Sequence, residues 1–448
     1  MPSPIPSNLV IAAGTYEGVL AGWEMKEGKF ELAFATAVHA GSVRSLSIAT
    51  SPDGDAAGSL LSCGYDETLR THDWHKRLTS SGEVRTPSDF GTPACSSFAP
   101  PKAQSTHCIL GFTNGKIAIY KKRDWSVQHV LAGHDGGVSS LAVHPSGKLC
   151  LSGGTSDGKL KLWDLTKGRL AFVNKINPTS AHNGRTKYDP VVSMVWSKEG
   201  DFYALAHGSH ITVREVASGK DLLDVELLSR VNQVALMAGP EGLFVVAACN
   251  DGSLPVLAVE ESDIESRRAI MAIEPVDSVI AGEERFRCIT TVHGYYVITA
   301  NSAGVVSLMN LEGAVKMIMT EGGDEKGDDE NPASDSESDD EDKEDMDLAV
   351  DIIESTRLGT GARITCLAAW AREGTTEALD SPPEETNVKE ATKTKKDADE
   401  KGIKRKHDNN DDGVMDAATV EKARALVSKA KKIKKRKEKK KQKVSPGE

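Results

Sequence analysis

The chain has 448 residues, 39% of them hydrophobic, and a formal net charge of −11. That length suits one large repeat architecture or two ordinary domains. With no basic, apolar leader and no run of about 18 apolar residues, the sequence predicts a soluble intracellular protein, and its seven cysteines, which form no CxxC pair and no framework spacing, argue against zinc or disulfides and for a reduced compartment.

From the N-terminus, NLVIAAGTYEGVLAGWEM reads as two strands and the turn between them, and VRSLSIA at 43–49 as a further strand. Turns made of an acidic residue, Asn or Ser with Gly or another small residue nearby, set between apolar runs, then recur at Glu17, Asp66, Asn114, Asp157, Ser209, Asp251 and Ser302, between 42 and 52 residues apart. The clearest unit holds four strands: VSSLAVH (138–144), KLCLSGG (148–154), KLKLWDL (159–165) and RLAFVNKI (169–176). Four strands repeated seven times at this period predict an all-β, seven-bladed β-propeller.

Residues 1–320 are assigned to the blades. The segment 321–347 is read as an acidic disordered insertion, because from Asp324 to Asp347 it holds 14 acidic and 2 basic residues and repels itself. It is expected between blade seven and a closing strand region at 348–370. There ARITCLAAW (362–370) matches the first strand of a unit, which the N-terminal segment lacks, so the two ends are expected to complete one blade and leave no free edge. Residues 371–448 read as a charged disordered tail; its stretch from Lys422 to Lys443 holds 13 bases and one acid.

The stretch GHDGGVSSLAVHPSGKLCLSGGTSDGKLKLWDL carries His134, Ser152, Asp157 and Trp163. A hydrolase uses a serine, a histidine and an aspartate, but no GxSxG elbow precedes a helix here. The repeat context favours a structural network, in which His134 and Asp157 satisfy each other across the strands beside Trp163. Ser152 stands one position from where the repeat pattern expects it. In the second unit His39, Ser62 and Asp66 keep the pattern, with His72 at the Trp position.

The Gly133-His134 and Trp163-Asp164 pairs resemble the WD-repeat signature. Taken with IAAGTYEGVLAGW, the acidic interruption, ARITCLAAW and the Lys-rich tail, the chain resembles the PAK-interacting-protein family, also named the maintenance-of-killer WD-repeat proteins. The resemblance implies a nucleolar assembly factor of the large (60S) ribosomal subunit acting on precursor rRNA particles. In some members it also implies a negative regulator of p21-activated-type kinases.

The acidic block carries −12, the stretch 422–443 carries +12 and the rest of the tail about −6, which leaves the propeller at about −5. Such a ring is expected to bind proteins, among them a basic ribosomal or ribosomal-like protein, and no cofactor, metal or membrane. Lys404, Arg405 and Lys406, and Lys431, Lys432, Lys434, Lys435, Arg436 and Lys437, read as nuclear and nucleolar targeting runs able to touch rRNA phosphates. Ser334, Ser336 and Ser338 have acidic residues just downstream, as an acid-directed kinase requires. Among the loops, 51–58, 85–93 and 177–190 are the longest; Lys175, Arg185 and Lys187 make the last a candidate contact for RNA or an acidic peptide. Without a reaction-bearing constellation, the chain is expected to be a scaffold and not an enzyme.

Overall fold

The structure is a computed structural model and describes residues 9–50, 57–74, 79–101, 105–178, 180–182, 185–259, 269–274, 285–320, 350–359 and 361–371. The chain divides into two units, Met1–Ala378 and Leu379–Glu448, and every described residue lies in the first.

That unit holds seven four-stranded antiparallel sheets, the blades of a β-propeller. Given from the inner strand outward, blade two is Val43–Thr50, Ala57–Gly64, Thr68–Asp73 and Thr79–Arg85, and blade three is Pro93–Ala99, His107–Phe112, Lys116–Lys121 and Val127–Ala132. Blade four is Val138–Val143, Leu149–Gly154, Lys159–Asp164 and Arg169–Lys175; blade five is Val191–Trp196, Phe202–His207, His210–Glu215 and Asp221–Glu226. Blade six is Val231–Gly239, Gly242–Cys249, Leu254–Ala258 and Ala269–Ile273; blade seven is Phe286–His293, Tyr296–Asn301, Val305–Asn310 and Asp351–Arg357. Blade one is built from both ends of the ring: Ile364–Trp370 lies beside Val10–Thr15, followed outward by Val19–Lys26 and Lys29–Ala37. Each inner strand touches the next, and that of blade seven touches Ile364–Trp370, so the ring is closed.

Burial follows strand position. The second strands of blades six and seven are buried on both faces and read as apolar runs, LFVVAA and YVITA, whereas the outer strand of blade four, RLAFVNK, is largely exposed. The core lies between blades: Leu9, Ile11 and Trp23 of the N-terminal segment pack with Tyr296, Ile298 and Leu308 of blade seven and with Ile364. Each such buried side chain contributes about 1.5–3 kcal/mol. Close approach of the blades needs glycine, since a Cβ on Gly14 would lie 2.6 Å from Val43 and one on Gly111 equally close to Val138.

Three features depart from the sequence reading. Glu312–Thr320 is an α-helix, capped by Asn310, whose Oδ1 accepts from the Glu312 N–H at 3.1 Å, and it seats Ala314, Val315 and Ile318 in the core of blades six and seven. The outer strand of blade seven, Asp351–Arg357, comes after this helix and pairs with Val305–Asn310. The acidic segment therefore interrupts blade seven itself, and does not stand between that blade and the closing strand; a run of charge hides the strand from a period-based reading. In the third, the segment read as the loop 177–190 contains a short hairpin, Ser180–His182 with Arg185–Lys187.

Candidate functional site

In blade four the residues of the opening motif meet. His134 Nδ1 lies 2.8 Å from Asp157 Oδ2, His134 Nε2 lies 2.7 Å from Ser152 Oγ, and Trp163 Nε1 donates to the same Ser152 Oγ at 2.8 Å. The carboxylate fixes the tautomer: Nδ1–H donates to Asp157, Nε2 accepts from the serine hydroxyl, and the serine accepts from the indole. Every polar side-chain atom of this four-residue network is used, and no nucleophile is left in it. Ser152, one position out of pattern, is the hub. Gly154 has no room for a side chain, because a Cβ there would press on the Asp157 carboxylate and the His134 ring.

Blade two repeats the arrangement with a substitution. His39 Nδ1 is 3.0 Å from Asp66 Oδ1, His39 Nε2 is 2.8 Å from Ser62 Oγ, and His72 Nε2 takes the tryptophan's place at 3.1 Å from that oxygen. The His72 Nδ1 is buried and has no hydrogen-bond partner. Burial depresses the imidazoles of His39, His72 and His134, with His72 pushed down to about 4. The Asp66 carboxyl, which burial alone would raise, is held below its usual value by the Ala40 N–H, Thr68 and His39.

Between the ordinary histidine value of 6.5 and about 4, the unfolded chain binds protons that the folded ring refuses. Stability present above pH 6.5 is therefore lost as pH falls through this window. We expect a falling melting temperature there, and a shallower fall in His72→Gln, read by thermal scans at several pH values. A variant as acid-sensitive as the parent would show that His72 is not a source of the loss.

Burial raises all seven thiols above the usual cysteine range. None is a ready thiolate. Among the described residues no group of His, Cys, Asp or Glu could hold a metal ion, and no helix is long and apolar enough to cross a membrane. His207 is buried and stacks on His210 with centroids 5.3 Å apart.

The surface residues singled out in the sequence fall into two groups. Lys175 and Lys187 are exposed near the turn that leaves blade four, and Arg185 belongs to the same small hairpin. Ser334, Ser336 and Ser338, Lys404 to Lys406, and Lys431 to Lys437 lie outside the described residues. Two surfaces escaped sequence reasoning. A cleft of about 330 Å³ between blades four and five is lined by Leu162, Phe172, Trp196, Tyr203 and Arg214, the arginine forked onto Asp221. Arginines and tyrosines also gather at one mouth of the ring from positions scattered through the chain, which no local motif could reveal.

These blades define a seven-bladed β-propeller, and the His–Ser–Trp–Asp network of blade four has the form of a WD-type repeat. Residues 125–164 match the family described as WD40: WD domain, G-beta repeat. Over nearly its whole length the chain is similar to the p21-activated protein kinase-interacting protein 1-like of Xenopus laevis, 26% identical over 434 residues that span 95% of this chain and 99% of that protein. Shk1 kinase-binding protein 15 of Schizosaccharomyces pombe is 35% identical over 111 residues, 25% of this chain and 31% of that protein. Telomerase Cajal body protein 1 of Rattus norvegicus is 30% identical over 171 residues, 37% of this chain and 31% of that protein.

Proposed function

We propose that this chain is a non-catalytic scaffold of large (60S) ribosomal subunit assembly, acting on precursor rRNA particles in the nucleus and nucleolus. One observation carries the reading: a closed ring with its polar network spent on structure stands in the same chain as a block of −12 and a stretch of +12. A rigid ring presents loops to protein partners. The acidic block suits a basic ribosomal protein, and phosphate on Ser334, Ser336 or Ser338 would strengthen that attraction. The lysine runs suit nuclear import and rRNA phosphates. A relative named for the Cajal body, a nuclear structure, supports the nuclear part.

Sedimentation of a tagged copy through a sucrose gradient tests the reading. Co-migration with large-subunit precursor rRNA is expected, and migration only as free protein would remove it. Replacing Lys175, Arg185 and Lys187 together by Gln is expected to weaken that co-migration; an unchanged profile would strike the hairpin from the contact surface. Replacing Lys431, Lys432, Lys434, Lys435, Arg436 and Lys437 by Gln should disperse the protein from the nucleolus and lower the salt slope of RNA binding by up to about 4. An unchanged slope and location would show that the run is only a solubilising tail.

A second reading has its own support. Two relatives are named for binding kinases, one a p21-activated protein kinase-interacting protein and one a Shk1 kinase-binding protein. On it the ring binds a p21-activated-type kinase directly and lowers its activity. Stoichiometric inhibition of a purified kinase domain, with no precursor rRNA in the gradient, is the outcome that would favour it.

A further inference from the structure

Seven equivalent positions stand immediately before the seven inner strands, where the chain enters each blade. In blades one, six and seven they are Arg363, Arg230 and Arg285, and each main-chain carbonyl accepts from the turn between the second and third strands of its own blade, at Tyr16, Asn250 and Ser302. Two residues further, inside the inner strand, blade two carries Arg44 and blade seven Arg287. Five guanidinium groups thus share one mouth of the ring, on four consecutive blades. Blades three, four and five have Thr92, Gly137 and Pro190 at the first position and Ala94, Ser139 and Val192 at the second.

The tyrosines follow the same division. Tyr16 and Tyr65 begin the equivalent turns of blades one and two, and they are 57% and 63% exposed. Only one other aromatic side chain among the described residues, Phe172, is exposed to that degree. The corresponding residues elsewhere are Thr113, Thr155, Gly208, Asn250 and Ser302. The propeller does not need arginine or tyrosine at these positions, since blades three to five fold without them.

The charge is poorly compensated. Arg363 lies 3.5 Å from Glu17, while Arg44, Arg230, Arg285 and Arg287 make no ion pair with a described residue. Glu17, Asp66, Glu67 and Asp251 stand in the equivalent turns of these blades, but Asp66 is engaged by His39 and Thr68 and none of the four arginines has a close counter-charge among the described residues, which favours a polyanion at this mouth. The Arg363 guanidinium also lies over the Tyr16 ring, 4.6 Å from its centroid. A flat cation stacked on an exposed aromatic offers a planar surface that a base can extend, which a carboxylate cannot use.

We infer that this mouth, across blades six, seven, one and two, binds single-stranded RNA, with phosphates on the arginines and bases stacked on Tyr16 and Tyr65. The site lies on the ring and is separate from the lysine runs of the tail, and it does not depend on the ribosomal reading. On this inference the ring meets RNA as well as the protein partners expected from its charge of about −5, since net charge averages over a surface that is polarised.

The test uses the full chain and a single-stranded 12-nucleotide RNA carrying 4-thiouridine, cross-linked by light at raised salt, where the tail's purely ionic contact weakens most. Cross-linked peptides containing Tyr16 and Tyr65 are expected. The double variant Arg44→Gln with Arg287→Gln should reduce their yield at least fivefold, while Lys167→Gln with Arg169→Gln, both exposed at the start of the outer strand of blade four and an equal loss of charge, should leave it unchanged. Cross-links confined to the tail, or equal yields from both double variants, would overturn the site. Displacement of the RNA from the ring by polyglutamate, with polyglutamate affinity lost in Arg44→Gln with Arg287→Gln, would reassign the mouth to an acidic protein.

Discussion

A chain ended at Gly361 is expected to lose cooperative folding, whereas one ended at residue 371, which also lacks the tail, keeps it. The seven residues Ile364–Trp370 form the inner strand of blade one, pairing from Val10 with Trp370 to Thr15 with Ile364. The Thr365 hydroxyl lies 2.6 Å from the Val43 carbonyl oxygen and 3.1 Å from that of Gly14, so it ties blade one to blade two. Ile364 is buried against blade seven. Without the strand, Val10–Thr15 becomes an open edge rich in Val, Ile and Ala, an invitation to pair with another chain. Losing these ladder bonds together with burial at two blade interfaces removes about 5–10 kcal/mol, comparable to the whole stability of an ordinary domain. Size-exclusion chromatography and thermal scans of the two truncations decide it. If the shorter chain stays monomeric and melts as sharply, at the same temperature, the ring does not rely on this strand.

Much of this architecture is legible in the sequence because a propeller repeats its physics. Turns at Asp66, Asn114, Asp157 and Asp251 recur at nearly constant spacing, and the four runs of the best unit fall within a residue of the strands Val138–Val143, Leu149–Gly154, Lys159–Asp164 and Arg169–Lys175. Closure is carried by the likeness of ITCLAAW to VSSLAV, which reflects the same burial of an inner strand. What stayed hidden has no period. The helix Glu312–Thr320 replaces a turn, and DIIESTR pairs as a strand although it follows a run of charge. Ser152 departs from the fixed offset because the turn of blade four, 155–158, has one residue more than the turn 65–67 of blade two; in both blades the serine lies two residues before the glycine, Gly154 or Gly64, that makes room for the His–Asp pair.

The candidate site divides along the same line. His134, Asp157 and Trp163 are readable because a network needs those residue types on neighbouring strands. The arginine mouth is assembled from positions 44, 230, 285, 287 and 363, which only ring closure brings together. Surfaces made by topology leave no local trace.

Replacing His134 by Ala is expected to destabilise the ring by about 3–4 kcal/mol, since it strands a carboxylate and a hydroxyl in the interior. The Asp157 side chain is 3% exposed and the His134 side chain 0%. After the change, Asp157 keeps only the Lys159 N–H among its described hydrogen bonds, and Ser152 loses an acceptor while still facing Trp163. His39→Ala in blade two should cost less, about 2 kcal/mol. Asp66 is 14% exposed and keeps the Ala40 N–H, the Thr68 N–H and the Thr68 hydroxyl, so water and neighbours take up the loss. Denaturant unfolding of both variants measures the difference directly. A blade-two loss larger than the blade-four loss would contradict the burial argument. Both variants should retain the RNA cross-links at Tyr16 and Tyr65 while folded, because the network holds strands together within a blade and the recognition surface stands on the turns above it.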